Sequence, residues 1–227
     1  MTELVRLLTE SAAVAPSRFV LRDVPWTAYK VLRDATANDG VRMTYLDGTL
    51  ELMSPEYAHE KGTDRIDMLV RAVAKAFGVP YQGAGSTTLR RRRRGRRRGE
   101  GREADTSFYF RDHAEAMAAR TAINLALDPP PDLAIEVDNT AVSAWKLPVF
   151  ARLRVPEVWR YDVAAGTLWF GRLQTDRKYA TVERSVALPM LAPAWALDVL
   201  GRGRDLIDSR WEAMLDGWVR DELAPPA

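Results

Sequence analysis

Between residues 41 and 53 two runs of alternating apolar and polar positions flank Asp47-Gly48, which predicts a β-hairpin with strands at 41–46 and 49–53. A different period follows. Ile66, Leu69, Val70, Val73, Ala74 and Phe77 recur every three or four positions after Ser54-Pro55-Glu56, predicting a long helix that stops at Gly78 and Pro80. Its apolar stripe should lie on a sheet. Shorter helices are expected at 25–32, behind Asp23, and at 143–154, where Pro148 is tolerated if the regular helix begins close to it. Strands are expected at 86–94 and 102–110, joined through a tip holding Gly95, Gly99 and Gly101, and at 132–138, 158–161, 167–171 and 179–186. Residues 114–126 read as helix or an ordered excursion, ended by Pro129-Pro130-Pro131. A last helix at 205–223 offers Ile207, Trp211, Met214, Leu215 and Trp218 to one face. Strands and helices interleaved in this order imply a mixed sheet with helices against it, an α/β or α+β fold. No solenoid repeat is visible.

Two of these strands carry acids on one face. Along 103–110, alternation sets Glu103, Asp105 and Ser107 against Ala104, Thr106, Phe108 and Phe110. Along 132–138 it sets Asp132, Glu136 and Asp138 against Leu133, Ile135 and Val137. Acids on strands that bury one side are costly unless a cation offsets them, and Mg²⁺ is one such cation.

Composition narrows the chemistry. With 47% hydrophobic residues and seven tryptophans, the chain has enough apolar material for a folded globular protein. It has no cysteine and only His59 and His113, so disulfides and zinc-thiolate centres are excluded, and any metal should be a hard cation on oxygen ligands. Residues 1–16 include Glu3 and Glu10 and no long apolar run, and no later segment reaches membrane-span length, so a cytoplasmic protein is expected. Net charge is only +2, yet Arg90, Arg91, Arg92, Arg93, Arg94, Arg96, Arg97 and Arg98 crowd into nine positions. That run cannot be buried, and the phosphate backbone of DNA is its natural partner; a solvated tip with no partner is the alternative.

The run from Tyr45 to Pro55, followed by His59-Glu60, resembles the opening of the Uma-two type family of restriction-endonuclease-like proteins. Further hallmarks follow in order: Glu103-Ala104-Asp105 with Ser107-Phe108-Tyr109, then Pro131 to Val137, Lys146, and Val155 to Asp162. The similarity covers about residues 25–171. It implies the PD-(D/E)xK nuclease fold, a restriction-endonuclease-like central mixed β-sheet flanked by helices, here with an N-terminal β-hairpin. It also implies Mg²⁺-dependent DNA cleavage, with Mn²⁺ as a substitute ion. Carried over by position, Asp105 and Glu136 become the acidic ligands, the Val137 carbonyl completes the coordination, and Lys146 is the catalytic lysine. The plain motif has its lysine two residues after the glutamate, where this chain has Asp138. Ala104, Phe150 and Arg154 stand where proline, tyrosine and glycine are common, and Arg154 must then differ in its turn or be strained.

The remaining residues keep two readings each. Glu103 is a third acid at the metal edge or a partner for arginine; His59 and Glu60 are supporting groups of the site or helix-surface and capping residues. Asp132 is expected to cap the start of its strand, and Asp138 to orient the turn that follows. The expected organisation is an N-terminal extension at 1–24, the nuclease domain at 25–186 and a C-terminal helical extension at 187–227. The expected function is a metal-dependent endonuclease. A catalytically silent nucleic-acid-binding protein using the arginine run is the alternative, and a small-molecule phosphoryl-hydrolase is a third reading. Whether a homodimer forms is left open.

Overall fold

The structure is a computed structural model, which describes residues 18–35, 38, 40–54, 56–91, 99–138 and 146–223. β1 (Arg18–Leu21) leads through α1 (Trp26–Asp34) into the hairpin β2 (Arg42–Leu46) and β3 (Thr49–Met53), then the long α2 (Tyr57–Ala76). Four strands follow, β4 (Tyr81–Gly83), β5 (Thr88–Arg91), β6 (Glu100–Glu103) and β7 (Thr106–Phe110), before α3 (Arg111–Met117). Next come β8 (Leu133–Asp138), α4 (Leu147–Leu153), β9 (Glu157–Asp162), β10 (Thr167–Leu173) and β11 (Tyr179–Thr181). The described chain closes with α5 (Pro193–Arg202), α6 (Asp208–Trp218) and a π-helical turn at Val219–Leu223. No helix among these residues is long and apolar enough to cross a membrane.

The strands form two sheets. One is antiparallel throughout, in the order β1-β3-β2-β6-β5; the other, in the order β11-β10-β9-β8-β7-β4, is mixed because β8 and β9 run parallel. Parallel neighbours cannot be joined by a tight turn, and the connection between them carries α4. This is the mixed α/β architecture, with its hairpin, that the sequence predicts. Asp47 and Gly48 turn the hairpin with φ of 49° and 96°, the paired positive values a two-residue loop requires.

α2 buries the predicted stripe. Ile66, Leu69, Val70, Val73 and Ala74 share one core with Leu133, Ile135 and Val137 of β8. Trp211, Leu215, Trp218 and Leu223 belong to that core too, so residues from the C-terminal helices complete it. A second core, with Leu89, Ala104, Ala134, Phe150 and Val158, lies on the face of β8 turned to α4. α4 ends at Arg154, whose φ of 66° and ψ of 33° are left-handed, a conformation that costs a non-glycine residue about 1–2 kcal/mol.

Several expectations need correction. The strand expected at 102–110 is two strands: β6 pairs with β2 and β5 in one sheet, whereas β7 pairs with β4 and β8 in the other. The alternation read across 103–110 therefore breaks at Ala104-Asp105, where the chain changes sheets. The strand expected at 179–186 ends at Thr181, and the helix expected at 205–223 begins at Asp208 and relaxes into the π turn. β1, β4 and α5 are additional elements. Residues 92–98, 139–145 and 1–17 lie outside the described residues, and with them most of the arginine run and the start of the helix expected at 143–154.

Candidate active site

Asp105 occupies the crossover between the sheets. Its backbone N–H donates to the Ile135 carbonyl at 3.1 Å, and its Oδ2 accepts from the Val137 N–H at 2.7 Å. The β7–β8 register pairs Thr106 with Ile135, and one further step sets Asp105 opposite Glu136. Both carboxylates are buried. Like charges directly opposed on neighbouring strands destabilise a sheet, so the pair needs cations.

Three side chains supply them. Arg102, only 2% exposed, forks Glu136 (1% exposed): Nε lies 3.2 Å from Oε1, and Nη2 binds Oε2. Its Nη1 binds Thr44 Oγ1 on β2. Lys146, at the start of α4, lies 3.4 Å from Glu136 Oε2 and 3.9 Å from Asp138 Oδ1. His59 Nε2, from the first turn of α2, lies 3.2 Å from Asp105 Oδ2, an ion-pair distance without the alignment of a hydrogen bond.

Burial works against ionisation of every group here, and the neighbours decide the outcome. Asp105 is held below the usual carboxylate range because His59, Arg102 and Lys146 outweigh its burial. Burial pushes Glu136 upward, the facing Asp105 adds to this, and Arg102 opposes it. Burial lowers His59, yet Asp105 more than compensates and its pKa rises. Arg102, despite burial, is held more firmly protonated by Glu136 and Asp105.

The structure thus gathers Asp105, Glu136, Lys146 and His59, with Val137 adjoining through its N–H. Glu60 is half-buried, its Oε1 lying 3.6 Å from both Arg42 Nη2 and His59 Nδ1. Glu103 is on the opposite face of β6 from Arg102, held by Arg33 at 3.1 Å and Thr88 Oγ1 at 2.6 Å. Asp132 accepts from the Phe110 N–H and sits 2.8 Å from His113 Nδ1, ordering the start of β8. Of the arginine run, Arg90 pairs with Asp34 at 2.6 Å and Arg91 donates to the Leu125 carbonyl at 2.9 Å. Arg92, Arg93, Arg94, Arg96, Arg97 and Arg98 lie outside the described residues.

Arg102 is the residue that sequence reasoning missed. The cost of the acidic faces is met first by this guanidinium. Its signal was hidden because the sheet change at Ala104-Asp105 resets the alternation that would have aligned it with Glu136.

Among the described residues no group of three or more His, Cys, Asp and Glu side chains is arranged to hold a metal ion. A hard cation here would draw on two carboxylates and complete its sphere with a carbonyl and water, as Mg²⁺ ordinarily does. The surroundings suit a hydrated ion: His59 Nδ1, His59 Nε2 and Glu60 Oε1 are buried polar atoms without hydrogen-bond partners among the described residues. The donor set fits Mg²⁺ or Mn²⁺, provided Glu136 is released by Arg102.

The mixed sheet thus presents two facing carboxylates, with a lysine from the start of the following helix beside them. The chain belongs to the Uma2 family, whose model, described as "Putative restriction endonuclease", matches residues 26–200. Among solved structures it is similar to "a putative nuclease belonging to DUF820" from Anabaena variabilis. The two are 14% identical over 66% of this chain and 85% of that one, with a TM-score of 0.46. Comparison with curated proteins finds no match.

Proposed function

We propose that this protein is a divalent-cation-dependent endonuclease acting on DNA, with Asp105, Glu136 and the Val137 carbonyl holding Mg²⁺, or Mn²⁺ in its place. The bound ion would supply Lewis-acid stabilisation of the phosphate and a more acidic water. Lys146 steadies the attacking oxygen or the charge growing on the phosphate, a role worth about 10²–10³ in rate for a preorganised donor. His59 orients Asp105, and Glu60 extends that contact toward solvent. The observation that carries the reading is the meeting of Lys146 with Glu136 at 3.4 Å, on the strand that faces Asp105.

Basic groups support nucleic acid as the substrate. A cleft of about 200 Å³ beside α2 is lined by Lys61, Tyr161, Arg204, Asp205 and Arg65, the last already held by Asp208, and Gly62 in its wall packs on Val137. The arginine run extends in sequence from β5 toward β6, and bound to phosphate backbone it would add salt-sensitive affinity. The proposed unit is wider than the 25–186 expected, running from β1 to Leu223, because β1 pairs with β3 and residues 187–223 complete the core on α2 and β8.

One observation favours a second reading. Arg102 fills both oxygens of Glu136, as in a silent site that keeps only nucleic-acid binding. Plasmid DNA incubated with Mg²⁺, Mn²⁺ or chelator, beside an Asp105→Ala variant, separates the two. The nuclease reading expects metal-dependent strand breaks that the variant lacks, with linear product if a homodimer presents two sites and nicks if one site acts alone. Binding without breaks under every condition refutes it.

A further inference from the structure

Resting on the metal-site reading above, we infer that Arg102 is a positioning residue that guards Glu136, its guanidinium holding both carboxylate oxygens until a divalent cation displaces it. The fork occupies one in-plane lone-pair position on each oxygen, the pair through which a carboxylate would chelate an ion. Lys146 makes a single contact with Glu136, so it could remain while the fork opens.

Charge balance points the same way. Asp105, Glu136 and Asp138 face Arg102, Lys146 and Arg160, so the cluster is balanced before His59 is counted. A dication added on top leaves the site with an excess of about two positive charges. Exchanged for Arg102, it leaves an excess of about one, the cheaper state in a low-dielectric interior.

The guanidinium also has somewhere to go. On the inner face of the antiparallel sheet, Thr44 is the cross-strand partner of both Arg102 and Glu51. Arg102 already touches Thr44, and the next group along that row is the buried carboxylate of Glu51, which also binds Arg18. A rotation of the Arg102 side chain about its stem exchanges one carboxylate for another without exposing the charge. The Phe150 ring, 5.9 Å from the guanidinium carbon, walls the other side.

The test is Mn²⁺ affinity, read by calorimetry and by water-proton relaxation on full-length protein, with circular dichroism to verify folding. Wild type is compared with Arg102→Met, which keeps the stem, Arg102→Lys, which keeps the charge but cannot fork, and Glu136→Gln. A guard predicts Mn²⁺ binding at least tenfold tighter in R102M, tighter by a smaller factor in R102K, and lost in E136Q. Mn²⁺ should also raise the Tm of R102M more than that of wild type. Unchanged or weaker affinity in folded R102M overturns the guard while leaving the metal site standing. If R102M does not fold, R102K decides: tighter binding supports the guard, and unchanged or weaker binding overturns it. Mn²⁺ bound by none of the proteins overturns the metal site and the guard together.

Discussion

The bond between Arg102 and Glu136 should dominate the stability of the metal-free protein, and a double-mutant cycle measures it. Removing one partner of a buried ion pair costs about 3–5 kcal/mol, because the survivor stays buried without compensation. Glu136 retains Lys146 at 3.4 Å when Arg102 is replaced by methionine, which places that loss near the low end, about 3 kcal/mol. Glu136→Gln strands two cations instead of one carboxylate. Arg102 keeps Thr44 and Lys146 keeps Asp138 at 3.9 Å, giving about 4 kcal/mol. The double variant removes both the carboxylate and its main partner, so it should lose about 4 kcal/mol rather than the roughly 7 that independent sites would give. A coupling of about 3 kcal/mol follows, within a total stability of about 5–15 kcal/mol that leaves each single variant folded. Urea unfolding in chelator, followed by tryptophan fluorescence, reads this as midpoint shifts at constant slope. Losses that add to within about 0.5 kcal/mol would refute the coupling.

Other expectations concern neighbouring groups. The raised pKa of His59 contributes stability that is full below about pH 6.5 and disappears as pH climbs through its folded value. The lowered pKa of Asp105 contributes stability present above about pH 3.9 and lost on acidification. The thermal stability difference between wild type and His59→Gln should therefore be largest between about pH 4 and 6.5, and a difference that is flat from pH 5 to 9 contradicts the pairing. Gly101 leaves no room for a Cβ, which would fall 2.1 Å from Tyr29 Oη. Tyr29 is itself pinned between Trp26 and Tyr45, so Gly101→Ala should cost about 2–3 kcal/mol by chemical denaturation, and a neutral result would show that the ring can move. Arg154→Gly relieves the left-handed C-cap of α4 and should stabilise by about 1 kcal/mol, a rise of about 2–4 °C in Tm; a fall would mean that lost arginine contacts exceed the strain.

Local chemistry made the hairpin and α2 legible in the sequence, since Asp47-Gly48 and the stripe from Ile66 to Ala74 are contiguous signals. The two sheets were not legible. Nothing at Ala104-Asp105 announces a change of sheet, because β6 and β7 are short and neither glycine nor proline separates Glu103 from Thr106. β4, with three residues, is too short to carry a period, and β1 is a solvent-facing edge whose pairing with β3 is not local. Of the candidate site, the two carboxylates and Lys146 were singled out by the family resemblance, since periodicity left the carboxylates level with the other acids on the same faces. The contacts that hold them were not, because Arg102, Thr44 and His59 come from elements whose approach depends on tertiary packing. Glu157 was invisible for the same reason: fully buried, it accepts from Trp159 Nε1 at 2.7 Å and the Ala187 N–H at 2.8 Å, and so ties the segment before α5 to β9.

The position of Asp105 on the link between two sheets bears on how the protein folds. The bonds of Asp105 itself run to β8 of the mixed sheet, whereas the strand just before it, β6, belongs to the antiparallel sheet. A chain in which only the mixed sheet has folded would face Asp105 against Glu136 without the Arg102 that offsets them. The repulsion of that pair therefore favours arrival of the second sheet and couples the folding of the two.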